Sequence, residues 1–279
     1  MFRIGNGINH VAQPAWDKRF EAYIGIVSAP ASFDYNLQQF LGLCASRAGV
    51  MQQMPYYPEA EYGAEVADGE RRLASLRDSI RGLVAGNAEI VAQAGGYWSL
   101  AYAPDLQTAR RLEAELADEF GVDVILNWTA IVDALRSIGA RRISVTTGYY
   151  RPAWSAATAA FLESAGFELL WTGDIIDQGI VADTAERQAI EDATGWDYPD
   201  DIVERTCVDA AKRAPDCDAV LQTGAGMRTS HVAAAVEAAT GKPLVATDIS
   251  LHWAIMRRAN LLARPGCGQL LDQLAVVAD

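Results

Sequence analysis

The sequence lacks the features that would place the protein in a membrane or on nucleic acid. No apolar run approaches the roughly eighteen residues that a membrane-spanning helix needs, and the opening residues MFRIGNGINH lack the basic-then-apolar pattern of a secretory signal. Basic residues are outnumbered, with 23 Lys and Arg against 36 Asp and Glu and a net charge of −13. Such a chain repels phosphate backbones. We therefore expect a cytoplasmic protein that spans no membrane and binds no nucleic acid.

Cysteine and histidine are also scarce, which argues against disulfide and metal sites. The four cysteines do not form a CxxC pair and are too few for a disulfide scaffold. The three histidines show no spacing that would bring three or four metal ligands together. No GxSxG, GxGxxG or GxxxxGK[ST] motif is found, so a standard hydrolase triad and a nucleotide site have no support. We expect neither a metal nor a cofactor.

Short apolar runs alternate with amphipathic stretches from about residue 20 onward. Continuous apolar runs are typical of parallel strands buried on both faces. The helical patterns between them include Leu112, Leu116 and Phe120, spaced at four, with Gly121 where that helix should stop. This alternation predicts an α/β fold with doubly wound parallel sheets. The predicted strands are Ala22–Ser28, Val50–Met54, Ala88–Gln93, Val122–Leu126, Arg142–Thr147, Glu168–Thr172, Asp218–Thr223 and Pro243–Thr247.

One local pattern occurs twice, about half a chain length apart. IVAQAGG, ending at Gly95 and Gly96, and AVLQTGAG, containing Gly224 and Gly226, each run from an apolar strand into a glycine turn. The repetition predicts two pseudo-symmetric halves, 1–128 plus 250–279 and 129–249. Ligands of open α/β sheets bind at the carboxyl ends of the strands, where both turns would lie. We therefore expect the site in the cleft between the halves.

The two turns present backbone N–H groups, and a helix following each turn would add its dipole to the attraction for an anion. Two such anion-binding turns facing each other suit a small carboxylic or dicarboxylic acid. They would also stabilise an enediolate, as an oxyanion hole does. Either turn alone could equally be an ordinary connection between a strand and a helix. The occurrence of two matching turns favours a ligand-binding role.

Several segments resemble the aspartate/glutamate racemase superfamily, in particular its arylmalonate decarboxylase and maleate cis-trans isomerase branch. They are YIGIVSAP, NWTAIVDALRSIGARRISVTTGYYRPAWSAATAAFLESAGFELL, the segment APDCDAVLQTGAGMRTSHVAAAVEAATGKPLVATDISLHWAIMR, and RPGCGQLL. The resemblance extends from about Tyr23 to the end, leaving out residues 1–22 and an insertion around Thr184–Pro199. It implies two α/β halves with a cofactor-independent site between them.

The resemblance also puts the reaction in question. Racemases and isomerases of this kind use one cysteine at each glycine turn, and the decarboxylase keeps only the second, as a proton donor. Here Gly95 and Gly224 stand at those positions. Tyr149 matches the family tyrosine that hydrogen-bonds the substrate carboxylate, while Gly96 and Tyr97 stand where the decarboxylase has hydroxyl donors. Cysteine-dependent racemisation is therefore disfavoured.

Without a thiol, the proton donors that remain are water and the side-chain hydroxyls. The candidate catalytic residues are accordingly Tyr149, Tyr97 and Thr223. An ordinary tyrosine, with a pKa near 10, is a slower acid than a tuned thiol. The candidate substrate-binding residues are Gly95, Gly96, Gly224, Ala225, Gly226, Ser28, Pro30 and Asp248.

Three functions stay open on the sequence. The first is a decarboxylase- or isomerase-like enzyme that acts on a small or aromatic carboxylic acid through an enediolate. The second is a hydrolytic or ring-opening enzyme in which Asp34, Asp248 or His252 activates water. The third is a relative that binds carboxylates without turnover. The expected partner is a small-molecule carboxylate, and assembly into a homo-oligomer is left open.

Overall fold

The fold is taken from a computed structural model, which describes residues 19–28, 35–55 and 69–275. The candidate residues Pro30 and Asp34 lie outside the described residues. The strands are β1 (Ala22–Val27), β2 (Ala48–Gln53), β3 (Ile90–Gln93), β4 (Asp123–Leu126), β5 (Arg142–Gly148), β6 (Glu168–Asp174), β7 (Ala219–Gln222) and β8 (Leu244–Ala246). The helices are α1 (Asn36–Leu43), α2 (Gly69–Ala85), α3 (Gly96–Leu100), α4 (Leu106–Phe120), α5 (Asn127–Ser137), α6 (Pro152–Ser164), α7 (Thr184–Thr194), α8 (Asp200–Arg213), α9 (Ala233–Thr240), α10 (Thr247–Ala259) and α11 (Gln269–Asp272).

The strands form two parallel four-stranded sheets with the same wiring. Their orders are β2-β1-β3-β4 and β6-β5-β7-β8, so each strand of the first sheet has a counterpart four strands later. All eight predicted strands are found, with bounds shifted by a few residues at most. Both glycine turns follow an interior strand, β3 in one sheet and β7 in the other. The α/β prediction with two pseudo-symmetric parallel sheets is confirmed.

Local sequence signals account for the helix bounds. The carboxylate of Asp105 accepts from the backbone N–H of Thr108 and caps the start of α4. Gly121 ends that helix in the left-handed conformation, with φ 68°. The helical pattern noted in the sequence is the buried face of α4, since Leu112, Leu116 and Phe120 are all buried.

Helices α5 and α10 join the two halves. Each begins directly after the last strand of its sheet, β4 or β8, and the two helices pack along each other. The side-chain amide of Asn127 donates to the backbone carbonyl of Thr247 at 2.8 Å, which ties the two helix starts together. The carboxyl ends of both sheets therefore face a common cleft. The predicted borders 128/129 and 249/250 fall in the first turns of these helices and stay a prediction. Within the described ranges, no helix is long and apolar enough to cross a membrane.

Candidate active site

The two glycine turns meet in the cleft. Gly95 from the first turn and Ala225 from the second line one small cavity together with Asp248. Its volume is about 10 Å³, room for a single water molecule. The structure thus brings together three of the predicted substrate-binding residues. The other residues that line the cavity are Tyr35, Asn36, Gln39, Ala94, Asn127 and Thr247.

The same side-chain device shapes both turns. Gln93 ends β3 and Gln222 ends β7, and both are buried. The amide nitrogen of Gln93 donates to the carbonyls of Ala94 and, at 2.9 Å, of Gly95, while that of Gln222 donates to the Thr223 carbonyl. Gly95 and Gly224 then adopt φ values of 88° and 104°. Because side chains are disfavoured at such φ values, glycine suits both positions.

The chain leaves the two turns differently. After the first turn, α3 begins at once with Gly96, although it has only five residues. After the second turn, the described residues from Ala225 to Val232 form no helix, and α9 starts at Ala233. The helix dipole envisaged for both turns is therefore available at the first turn only.

Tyr149 lies against the second turn. Its ring carbon Cε1 is 2.9 Å, and its hydroxyl oxygen 3.3 Å, from the point that a Cβ on Gly224 would occupy. The hydroxyl accepts a hydrogen bond from the backbone N–H of Gly226 at 3.2 Å. Burial raises the pKa of Tyr149 well above its usual value, and the hydrogen bond from Gly226 opposes that rise only in part. The phenol therefore keeps its proton at neutral pH.

Tyr150 is a site residue that the sequence reasoning missed. Its hydroxyl lies in hydrogen-bonding contact with the side chain of Thr223 and the backbone of Tyr97, so it bridges the two turns. Burial raises the pKa of Tyr150 as well. The available signal was its position next to Tyr149 in the segment TTGYY, directly after a buried strand.

Tyr97 and Trp154 stack on each other between the two halves. Their rings stack at 4.2 Å with an interplanar angle of 20°, and the ring of Tyr150 meets both edge-on. Tyr97 belongs to α3 in the first half, and Trp154 to α6 in the second. The stacked pair therefore joins the two halves beside the turns.

Asp248 has a structural role in the described geometry. Its carboxylate accepts five hydrogen bonds, including those from the backbone N–H of Thr229 at 2.8 Å and from the side-chain amide of Gln39 at 3.0 Å; the others come from the Thr229 hydroxyl and the backbone N–H groups of Ser230 and Ile249. These bonds tie α1 and the loop after the second turn to α10. Both carboxylate oxygens are therefore already engaged as hydrogen-bond acceptors.

His252 lies one helical turn beyond Asp248 and is fully buried. Its Nε2 pairs with the side-chain oxygen of Asn36 at 3.1 Å. Burial lowers its pKa to about 4, with Asp248 opposing the shift, so the ring is neutral at pH 7. Asn36, not the imidazole, lines the cavity. The geometry thus offers little support for a water activated by this pair.

Ser28 and the four cysteines have no direct part in the geometry of the two turns. Ser28 is buried and accepts a hydrogen bond from the side chain of Gln52 at 3.0 Å. Burial raises the pKa of all four thiols, which keeps them protonated: Cys44, Cys207, Cys217 and Cys267. Among the residues that the structure describes, no group of three or more His, Cys, Asp or Glu is placed to hold a metal.

Comparisons with known proteins point to one family. A family model described as arylmalonate decarboxylase matches residues 70–271. The chain is 33% identical to the arylmalonate decarboxylase of Bordetella bronchiseptica over 147 residues, covering 52% of this chain and 56% of the relative. It is 28% identical to the maleate isomerase of Pseudomonas putida over 172 residues, covering 60% and 62%. These alignments span less than two thirds of either curated relative.

Solved structures share the fold over most of the chain. An unliganded arylmalonate decarboxylase superposes with a TM-score of 0.69 at 22% identity, covering 90% of this chain and 99% of that one. The maleate cis-trans isomerase of Nocardia farcinica, in a form that carries a covalently bound succinylcysteine intermediate, gives a TM-score of 0.69 at 17% identity, covering 90% and 98%. At these identities the likeness concerns the fold alone.

Proposed function

Since the chain belongs to the arylmalonate decarboxylase family, we propose that it is a cofactor-independent enzyme that decarboxylates a small or aromatic dicarboxylic acid. The names of the relatives support a lyase or an isomerase. Decarboxylation is the better choice because it needs electrostatic stabilisation and a proton donor. A cysteine-type isomerisation needs a nucleophile, and Gly95 and Gly224 supply none.

The reaction has two steps. First, the bond between the α-carbon and one carboxylate breaks, CO₂ leaves, and the electron pair delocalises into the remaining carboxylate as an enediolate. The turns and the Tyr150 hydroxyl stabilise the charge on the enediolate oxygens. Second, the α-carbon takes the proton of the Tyr149 hydroxyl, and water returns a proton to the phenolate. The backbone N–H of Gly226 stabilises that phenolate while it lasts.

One observation carries the choice of Tyr149 as proton donor. Its hydroxyl oxygen lies 3.3 Å from the place of a Cβ at position 224, so a phenol stands where a side chain on Gly224 would project. Position 224 is the one at which the family resemblance expects the proton-donating cysteine. Burial, which raises the pKa of Tyr149, makes the phenol a weaker acid, and the hydrogen bond from the Gly226 N–H, which stabilises the phenolate, offsets part of that cost.

Substrate binding requires movement. A cavity of about 10 Å³ has no room for an aryl-substituted acid, so the side chains that line it must separate when the acid binds. Tyr35 is the most exposed of the residues lining the cavity, at 42%. It is therefore the side chain that can swing away with the least loss of packing.

The test uses phenylmalonate as the probe, in D₂O, followed by proton NMR. We expect conversion to phenylacetate with deuterium at the α-carbon. Tyr149→Phe should lower kcat by about a hundredfold or more, since a positioned proton donor contributes that much. Tyr23→Phe is the matched control, because this half-buried tyrosine lies near the start of β1. Binding without conversion by the wild-type protein would indicate a carboxylate-binding relative, and full activity of Tyr149→Phe would overturn the assignment of the donor.

A further inference from the structure

Helix α7 and the loop after it, Thr184–Tyr198, pack against the proposed proton donor. The ring of Tyr198 stacks on the ring of Tyr149 at 5.2 Å and 7°, which is nearly parallel. The ring of Trp196 meets the same tyrosine edge-on at 5.3 Å and 78°. Tyr149 is thus held on two sides by a segment that the family resemblance leaves out.

The backbone of this loop is joined to the second glycine turn. The N–H of Tyr198 donates to the carbonyl of Gly226 at 3.0 Å, and Asp197 forms an ion pair with Arg228 at 2.5 Å. The carbonyl of Trp196 lies 2.1 Å from the place of a Cβ at position 226, so only glycine fits there. Trp196 itself has φ 71°, a strained conformation for a bulky residue, which the surrounding contacts must sustain.

A charge pair with a buried carboxylate holds the hydroxyl of Tyr198. Its hydroxyl donates to Glu191 of α7 at 3.1 Å, and Glu191 is fully buried. Both terminal nitrogens of Arg151 donate to the same carboxylate at 2.8 Å. Arg151 also donates to the backbone carbonyl of Tyr149 at 2.9 Å. The contacts therefore form a closed ring of residues: Tyr149, Tyr198, Glu191 and Arg151. Tyr198 holds the side chain of Tyr149, and Arg151 holds its backbone.

We propose that Tyr198, held by Glu191, is a positioning residue that fixes the phenol of Tyr149 against the second turn. The inference rests on the proposed role of Tyr149 as proton donor. A phenol held in one orientation delivers its proton to one face of a planar enediolate. A substrate whose α-carbon becomes a stereocentre should then give one enantiomer in excess.

The first test needs no substrate. The N–H of Gly226 donates to the Tyr149 hydroxyl, so its hydrogen exchange, followed by NMR, reports whether that ring stays in place. Tyr198→Leu should speed this exchange about tenfold. Gln188→Ala, on the exposed side of α7, is the control and should leave the exchange unchanged. Tyr198→Phe keeps the ring, so its rate of Gly226 exchange should lie between the rates of Tyr198→Leu and the control.

The second test uses 2-methyl-2-phenylmalonate, whose decarboxylation product has a stereocentre at the α-carbon. Tyr198→Leu should lower kcat about tenfold with little change in KM, because misplacing a reacting group slows the chemical step. It should also lower the enantiomeric excess, and Tyr198→Phe should restore most of it. A merely structural loss would reduce the amount of folded enzyme without changing the enantiomeric excess.

The two tests separate the inference from the function on which it rests. A folded Tyr198→Leu protein with unchanged Gly226 exchange and unchanged enantiomeric excess overturns the positioning role. A wild-type protein that converts neither malonate, while the exchange responds as expected, overturns the proposed function alone. If Tyr198→Leu does not fold, Tyr198→Met replaces it, since a flexible unbranched side chain fills the space without a planar ring.

Discussion

The two glycine turns share one backbone device, but different side chains support them. Both follow an interior strand and are closed by a buried glutamine amide. The first turn is backed by Trp128, whose indole N–H donates to the Gly96 carbonyl at 2.7 Å. The second is backed by Tyr149 and tied to α10 through Asp248. The repeated part thus positions backbone groups, whereas Tyr149 and Asp248 support the second turn and have no counterpart in the support of the first.

The difference in support between the two turns should have its largest effect on the free energy of unfolding when Gly224 is substituted. Gly224→Ala should lower the free energy of unfolding by about 2–5 kcal/mol, the sum of the left-handed backbone cost and overlap with the Tyr149 ring. Gly139→Ala is the matched control. That glycine also has positive φ, 74°, but a Cβ there would meet nothing within 4 Å, so only the backbone cost of about 1–2 kcal/mol applies.

Urea unfolding of both variants measures the two costs. Equal losses of stability would mean that the Tyr149 ring moves aside freely, which contradicts its close support by Tyr198. The same overlap makes Gly224→Cys a poor route to a family-type thiol, because a cysteine needs the space that the ring occupies.

The two glycine turns could be predicted from the sequence, whereas the side chains that support them could not. Parallel strands buried on both faces leave apolar runs, which is why β3 and β7 were predicted. The glycines at 95 and 224 follow those strands directly, so the turns and their meeting in the cleft could be inferred as well. These features depend on local composition and on the symmetry of the two halves.

The contacts around Tyr149 depend on tertiary packing instead. Tyr198 reaches it from the loop after α7, and no periodicity relates the two residues. Asp248 is a candidate to activate water on the sequence alone. In the structure its oxygens accept five hydrogen bonds that hold the loop after the second turn and α1 in place. A sequence shows which groups can ionise, but it does not show which of them already accept hydrogen bonds that hold the fold together.

The next largest effect is a loss of stability at low pH, and it arises in only one of the two helices that join the halves. Every residue of α5 is described, and its buried side chains include no ionisable group, whereas α10 buries Asp248 and His252. The folded pKa of His252 is about 4, below its ordinary value of 6.5. Between these values the unfolded chain binds more protons, so stability present above pH 6.5 is lost as the pH falls through 4.

The lost stability should amount to about 3 kcal/mol, since one pKa unit corresponds to about 1.4 kcal/mol. Urea unfolding at pH 7 and pH 4 measures it, with His252→Gln as the comparison. The variant should lose about 3 kcal/mol less than the wild-type protein on acidification, because the carboxylates common to both contribute equally. The same dependence on pH in both proteins would show that His252 takes up its proton in the folded state.

The smallest expected effect is at the first turn. Gly96 does not have a positive φ, and a Cβ there would lie 3.3 Å from the Trp128 ring. Gly96→Ala should therefore cost less than about 1 kcal/mol, because the indole needs to shift by only a few tenths of an ångström. Thermal unfolding beside Gly224→Ala measures the contrast. A loss at Gly96 as large as that at Gly224 would mean that Trp128 is held as firmly as Tyr149, and that the two turns differ in chemistry but not in rigidity.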